Sequence, residues 1–198
     1  MDEQMLNDRS SLLSLLRTRR SAKPRAMAGA RPTRQQLDEM LKIAARTPDH
    51  GKLHPWRFVV IGDGHRDELA ALLRQALRDE HPDCTAGHEK KEEEFARYDG
   101  SLVVLVSAPV RGHKIPVWEQ ELSCGAAGMN LLLAAHALGY VAGWVTGWRA
   151  YSPRVTAALC RPGERIAGFI FIGNIQMELD ERPRPEPGEV VSDWLPKS

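Results

Sequence analysis

Two short runs hold the side chains whose type and spacing could do chemistry. Arg19-Arg20-Ser21 sets two guanidinium forks beside a hydroxyl, just before Pro24. Guanidinium groups bind phosphate bidentately, and a serine hydroxyl adds a further hydrogen bond. Spacing alone leaves a plainer alternative open. Residues 1–34 hold eight Lys/Arg against three acids, a surplus that a solvated arm also carries. The second run is Ala45–Ile61, a connection carrying Pro48, Pro55, Gly51, His50, His54 and the basic residues Arg46, Lys52 and Arg57. Loops held between rigid elements are where binding groups tend to sit.

Other chemistries find little support. His50 and His54 have the i,i+4 spacing of helical metal ligands, but Gly51 and Pro55 argue against a helix there. His81, Cys84 and His88 would need a loop to gather them and lack an obvious fourth ligand. There is no Gly-x-Ser-x-Gly elbow, and Cys124 reads as a small core residue. Gly62-Asp63-Gly64 follows a strand-like run without the third glycine of a dinucleotide fingerprint.

The elements that must position these runs are well marked. Leucines between Met5 and Arg17 predict a first helix. Pro24, Gly29 and Pro32 keep the next stretch irregular. Thr33 and Gln36 form a capping box opening a second helix, with Leu37, Met40, Leu41 and Ala44 on one face. Pro48 stops that helix near Arg46. Trp56–Ile61 reads as a strand, 69–77 as an amphipathic helix, and the charge-dense 88–97 as an exposed helical face. Leu102–Val106 is a second strand. Glu119–Leu138 is a helix apolar nearly all round, hence central. Its small-residue half, Ser123-Cys124-Gly125-Ala126-Ala127-Gly128, leaves room for another helix, a partner subunit or a flat ligand. Tyr140–Trp144 and Ile166–Ile172 are further strands, and Ser152-Pro153 opens a short helix to about Leu159. The proline-rich tail 174–198 is expected to be extended.

Interleaved helices and strands predict an α/β or α+β domain, one domain over residues 1–198. With 27 basic and 26 acidic residues the net charge is +1, which gives no sign of a nucleic-acid partner. Three well-separated cysteines suit free thiols in a reducing compartment. With neither a signal-like start nor a membrane-length apolar run, a cytoplasmic protein with no membrane association is expected.

Taken in order, these motifs resemble the FMN-dependent nitroreductase family, especially its short bacterial NAD(P)H nitroreductases. The resemblance rests on Arg19-Arg20-Ser21, on Arg46-Thr47-Pro48-Asp49-His50 leading to Pro55-Trp56-Arg57-Phe58-Val59-Val60, on Trp118-Glu119-Gln120-Glu121, and on Gly139 with Gly143-Trp144-Val145-Thr146-Gly147. It implies an α+β fold with a central mixed β-sheet flanked by helices, forming an intertwined homodimer with FMN at the subunit interface. Arg19, Arg20 and Ser21 would hold the FMN phosphate and ribityl end. Arg46 and His50 would reach the flavin of the other subunit, and Trp144, Val145 and Thr146 would line it. The central helix would form the dimer interface. The tail would wrap the partner, with Arg182 or Arg184 a further phosphate contact. Hydride would pass from NADH or NADPH through the flavin to a small-molecule acceptor such as a nitroaromatic or quinone, with no side chain as catalytic acid. The chain departs from the family pattern at His54, at Asp49, and at Lys23-Pro24-Arg25, where an aromatic is usual. Two other readings are an FMN-binding sensor or carrier with little turnover, and a basic-armed interaction protein without cofactor.

Overall fold

The computed structural model describes residues 5–196, so the outermost ends of the chain and of its tail lie outside the account. Four strands form one sheet in the order β1-β2-β4-β3: β1 is Trp56–Ile61, β2 Ser101–Ser107, β3 Val141–Val145 and β4 Arg165–Gly173. Every adjacent pair is antiparallel, with Trp56 opposite Ser107, Leu102 opposite Phe171, and Val145 opposite Phe169. The mixed sheet expected from the resemblance is therefore corrected, among the described residues, to an antiparallel one. The reason is topological. β2 and β3 run the same way, but β4 fills the place between them in the opposite direction.

Both faces of the sheet are covered, which is why β2 reads as an unbroken apolar run rather than an alternating one. Leu102, Val104 and Val106 point into a core shared with α3 (Arg66–Glu80), α4 (Ala86–Arg97) and α6 (Pro153–Leu159). Val103 and Leu105 point the other way, against α2 (Arg34–Ala44) and α5 (Val117–Ala137). The Thr33–Gln36 capping box is formed as expected. Ser152 caps α6.

Three local expectations change. The first helix is shorter, α1 spanning Leu12–Thr18, because Ser11 caps it and Asn7 turns the chain at φ 56°. Asn7 N–H donates to the Thr18 carbonyl at 3.0 Å, so the segment before Ser11 folds back along α1 rather than extending it. The charge-dense α4 is not wholly a solvated face. Glu92 is buried, accepting from Arg149 Nη2 at 2.7 Å and Trp148 Nε1 at 3.2 Å, which offsets the cost of burying its charge. The described part of the tail carries little regular structure and includes a four-residue helix, α7, at Pro187–Val190.

Candidate functional site

The loop between α2 and β1 is fastened to its own chain's α5. Asn130 Nδ2 donates to the Arg46 carbonyl at 3.3 Å and to Thr47 Oγ1 at 3.1 Å. Ser123 Oγ donates to the Pro48 carbonyl, and His50 Nδ1 lies 2.8 Å from Glu119 Oε2. Glu119, Ser123 and Asn130 fall at i, i+4 and i+11, so one helix face presents all three. The loop's own backbone needs this support. Lys52 and His54 adopt positive φ (55° and 51°), which costs energy for non-glycine residues. Asp49 offsets that cost, its Oδ1 accepting from Leu53 N–H at 3.2 Å and its Oδ2 from His54 N–H at 2.8 Å. The side chains of Arg46 and His50 remain exposed above this frame. Arg57, the third basic residue of the run, is structural: it pairs with Glu164 and donates to the Leu159 carbonyl at 3.0 Å.

Arg19, Arg20 and Ser21 lie elsewhere. Ala22 N–H donates to the Ala142 carbonyl at 3.2 Å, laying this segment along the outer edge of β3. The approach is so close that a Cβ on Gly143 would sit 2.3 Å from the Ala22 carbonyl oxygen. Arg19 Nη1 donates to Ser21 Oγ at 3.0 Å, and Arg20 Nε to the Asp180 carbonyl at 2.8 Å. The tail returns here: Arg184 Nη2 donates to the Arg19 carbonyl at 3.4 Å and to Glu181 Oε1 at 2.8 Å. Arg19 has its pKa lowered, first by burial and then by the charges of Arg184 and Arg20, which the carboxylate of Glu181 opposes. Two half-buried cations, Arg19 and Arg20, and the exposed Arg184 are thus clustered around one carboxylate.

Of the 144–146 segment, the side chains face different ways. Trp144 turns toward α5 and Val145 toward the opposite core. The indole is wedged between two glycines, since a Cβ on Gly128 would lie 2.6 Å from its ring and one on Gly168 2.0 Å from Nε1. Its Nε1 donates to the Ala167 carbonyl at 3.1 Å. Gly128 of the small-residue half thus accommodates this chain's own tryptophan. What the segment offers outward is backbone. Ala142 bonds across the open edge, and by the two-residue repeat of a strand Trp144 N–H and C=O point to that edge too. On the inner side Trp144 borders a cavity of about 560 Å³ with Ser107, Cys124, Tyr151 and Arg165. Burial pushes the Cys124 thiol up to about 11, so it stays protonated at neutral pH.

The family model for the nitroreductase family matches residues 16–174. A protein of Escherichia coli K12 named "Putative NAD(P)H nitroreductase YdjA" is 36% identical over 183 residues, covering 88% of this chain and 96% of its own. The chain belongs to the nitroreductase family. A Haemophilus influenzae NAD(P)H nitroreductase of similarly provisional name is 36% identical over 175 residues, covering 86% of this chain and 91% of its own. Among solved structures, a nitroreductase-like protein from Bacillus cereus superimposes with a TM-score of 0.80 at 22% identity, covering 92% of this chain and 95% of that one. A Desulfovibrio desulfuricans structure described as a complex with FMN gives 0.68 at 22% identity, covering 93% and 97%.

In this nitroreductase the residues singled out from sequence fall into two groups at different points along α5. Arg19 acts electrostatically on His136 in the last turn of α5, while His50 sits on Glu119 in its first turn. Seventeen residues of helix separate Glu119 from His136, about 25 Å. Arg19, Arg20 and Ser21 are brought together and set beside the strand leading to Trp144, Val145 and Thr146; His50 is not brought to them. Sequence reasoning missed Glu119, Ser123 and Asn130 as the loop's anchors. Their signal was present as polar residues inside an otherwise apolar helix.

Proposed function

We propose that the protein is an FMN-dependent oxidoreductase that takes hydride from NADH or NADPH and passes it to a small acceptor of the nitroaromatic or quinone type. The observation that carries this reading is the crowding of Arg19, Arg20 and Arg184 beside Ser21's segment, with Arg19 destabilised as a cation first by burial and then by the charges of Arg184 and Arg20. A phosphate dianion relieves that crowding, and guanidinium forks bind it bidentately. The residues therefore fit the phosphate end of FMN. Bound flavin supplies the hydride chemistry itself, and the protein supplies orientation and charge. Arg19, Arg20 and Ser21 hold the phosphate and ribityl end, with Arg184 from the tail closing over them. The free-edge backbone of Trp144, with Val145 and Thr146 beside it, orients the ring. Arg46 and His50 place positive charge at the ring of the other subunit's flavin.

The homodimer this requires is supported by two observations. His50 and the arginine cluster are too far apart along α5 to serve one site within one chain. Apolar side chains also stand exposed on α1, α5 and the tail, among them Leu12, Leu13, Leu16, Trp118, Leu122 and Trp194. Exposed apolar surface of this extent marks an interaction face.

Absorption spectroscopy of purified protein, with and without added FMN, tests the cofactor. Anaerobic addition of NADH or NADPH then tests turnover. The expected result is a flavin band that bleaches with a nicotinamide and returns with a nitroaromatic or quinone. Protein that stays colourless with excess FMN overturns the cofactor reading. Flavin that neither nicotinamide bleaches overturns the reductase.

A further inference from the structure

A feature of the α5 end is not absorbed by that function. The connection from β2 to α5 is a built loop, held from inside by the buried side chain of Gln120. Its Oε1 accepts from Val110 N–H at 2.8 Å, and its Nε2 donates to the carbonyls of Val110 at 3.2 Å and Ile115 at 3.0 Å. Gly112, at φ 73°, turns the tip, and Ile115 N–H donates back to His113 Nδ1 at 3.2 Å. Arg111, His113 and Lys114 are all exposed there.

This tip lies beside the 46–55 loop. Ala108 N–H donates to the Pro55 carbonyl at 3.0 Å, so both loops leave the sheet side by side. Farther out, Gly51 meets Ile115 so tightly that a Cβ would sit 2.3 Å from Ile115 Cδ1. Arg111, Lys114 and Lys52 are thereby gathered at the end of the molecule where α5 begins. The two carboxylates of the loop pair are already engaged: Asp49 accepts from the backbone of Leu53 and His54, and Glu119 lies against His50. A surplus of cations on rigid loops concentrates anionic ligands at that place.

We propose that this two-loop tip binds the 2′-phosphate of the nicotinamide donor and so selects NADPH over NADH, with Arg111 and Lys114 as its specificity residues. The proposal rests on the reductase reading above, in which Arg46 and His50 of the 46–55 loop stand at a flavin ring, the place to which the donor must bring its hydride. NADPH differs from NADH by one phosphate monoester, which carries about −1.5 to −2 charge at neutral pH. Arg111 offers that group a bidentate fork and Lys114 a point charge.

The test has two arms. The first is kcat/KM for NADPH and NADH on FMN-saturated wild type and on Arg111→Ala/Lys114→Ala. The second is calorimetric binding of adenosine 2′,5′-bisphosphate and of 5′-AMP to the same proteins. Wild type is expected to favour NADPH by about tenfold or more, a preference that collapses in the double variant while NADH turnover is essentially unchanged. Arg111→Lys should restore part of it. The bisphosphate should bind wild type about tenfold tighter than AMP and lose that margin in the double variant. Equal efficiency with both donors, a ratio indifferent to the double substitution, or equal binding of the two nucleotides overturns the proposal. Failure of both nicotinamides to reduce the flavin overturns the reductase reading instead, and the calorimetric arm then decides the phosphate site by itself.

Discussion

Along α5 from its first turn to Asn130, the loop carrying Arg46 and His50 is tied down by its own chain, through Asn130, Ser123, Glu119 and an internal Asp49. At the last-turn end, Arg19, Arg20 and Arg184 are drawn together by a few bonds to main chain and to a returning tail, and their charges oppose one another. The first region is complete without a ligand, and its strained backbone is compensated on the spot. The second is electrostatically incomplete. On the proposed function, a pre-formed projection and a cluster of mutually opposed cations on one chain are what a site shared between two chains requires. The projection must be rigid before it meets its partner, while the cradle gains its stability from what it binds.

The contrast can be broken or sharpened by experiment. The largest effect concerns His136, buried at the cradle end with neither ring nitrogen in a hydrogen bond. Burial first, and the charge of Arg19 second, hold it at about 4; the Tyr140 backbone, outside bonding geometry, pulls weakly the other way. A base whose folded pKa is depressed leaves the unfolded chain binding more protons, so stability falls as pH drops from about 6.5 to about 4, by about 3 kcal/mol. Urea unfolding across that window should show the loss in wild type and a flatter profile in His136→Gln. An identical slope in both would remove His136 from the account.

Next comes Arg19→Ala, expected to weaken FMN binding about thirtyfold, near 2 kcal/mol, in a flavin fluorescence titration. Lys23→Ala, an exposed cation two residues past Ser21, should leave the affinity unchanged. Equal losses would mean that general charge, not the cradle, holds the flavin.

Gly51→Ala and Gly143→Ala should each cost about 2 kcal/mol in urea unfolding, since each new Cβ meets a neighbour at 2.3 Å. Their consequences should differ. Gly143→Ala pushes away the strand-edge segment that carries Arg19–Ser21 and should weaken FMN binding as well. Gly51→Ala, at φ 77°, strains the projection and its contact with Ile115. The smallest effect is that of Ser123→Ala, which leaves the Pro48 carbonyl without its donor and should cost about 1 kcal/mol.

Much of the scaffold was legible because its signals are local. The Thr33–Gln36 box, the Ser152-Pro153 start and the two-sided β2 each lie within a few residues of one another. The first helix misled because Leu12, Leu13 and Leu16 stay exposed and only Leu15 is buried among them. Those leucines mark an outward face, not a longer helix. The bulge in β4 between the partners of Leu105 and Val106 was invisible, since its reason is the Trp144 ring from another strand. At the site, Arg19, Arg20 and Ser21 stood out by residue type, though type and spacing left a solvated arm open beside anion binding. The partners of the 46–50 loop could not, because Glu119, Ser123 and Asn130 lie 69 to 84 residues away and only the fold brings them close. Arg184 likewise reaches Arg19 across 165 residues.

The central claim is that one chain's cradle is completed by the other chain's loop. Mixed dimers of Arg19→Ala chains with Arg46→Ala/His50→Ala chains test it most directly, by FMN stoichiometry and affinity. In a mixed dimer one interface site carries all the substitutions and the other is intact. The account predicts one tightly bound FMN per mixed dimer, at wild-type affinity, where neither parent dimer binds any so tightly. Mixed dimers with no site tighter than those of the parents would contradict it.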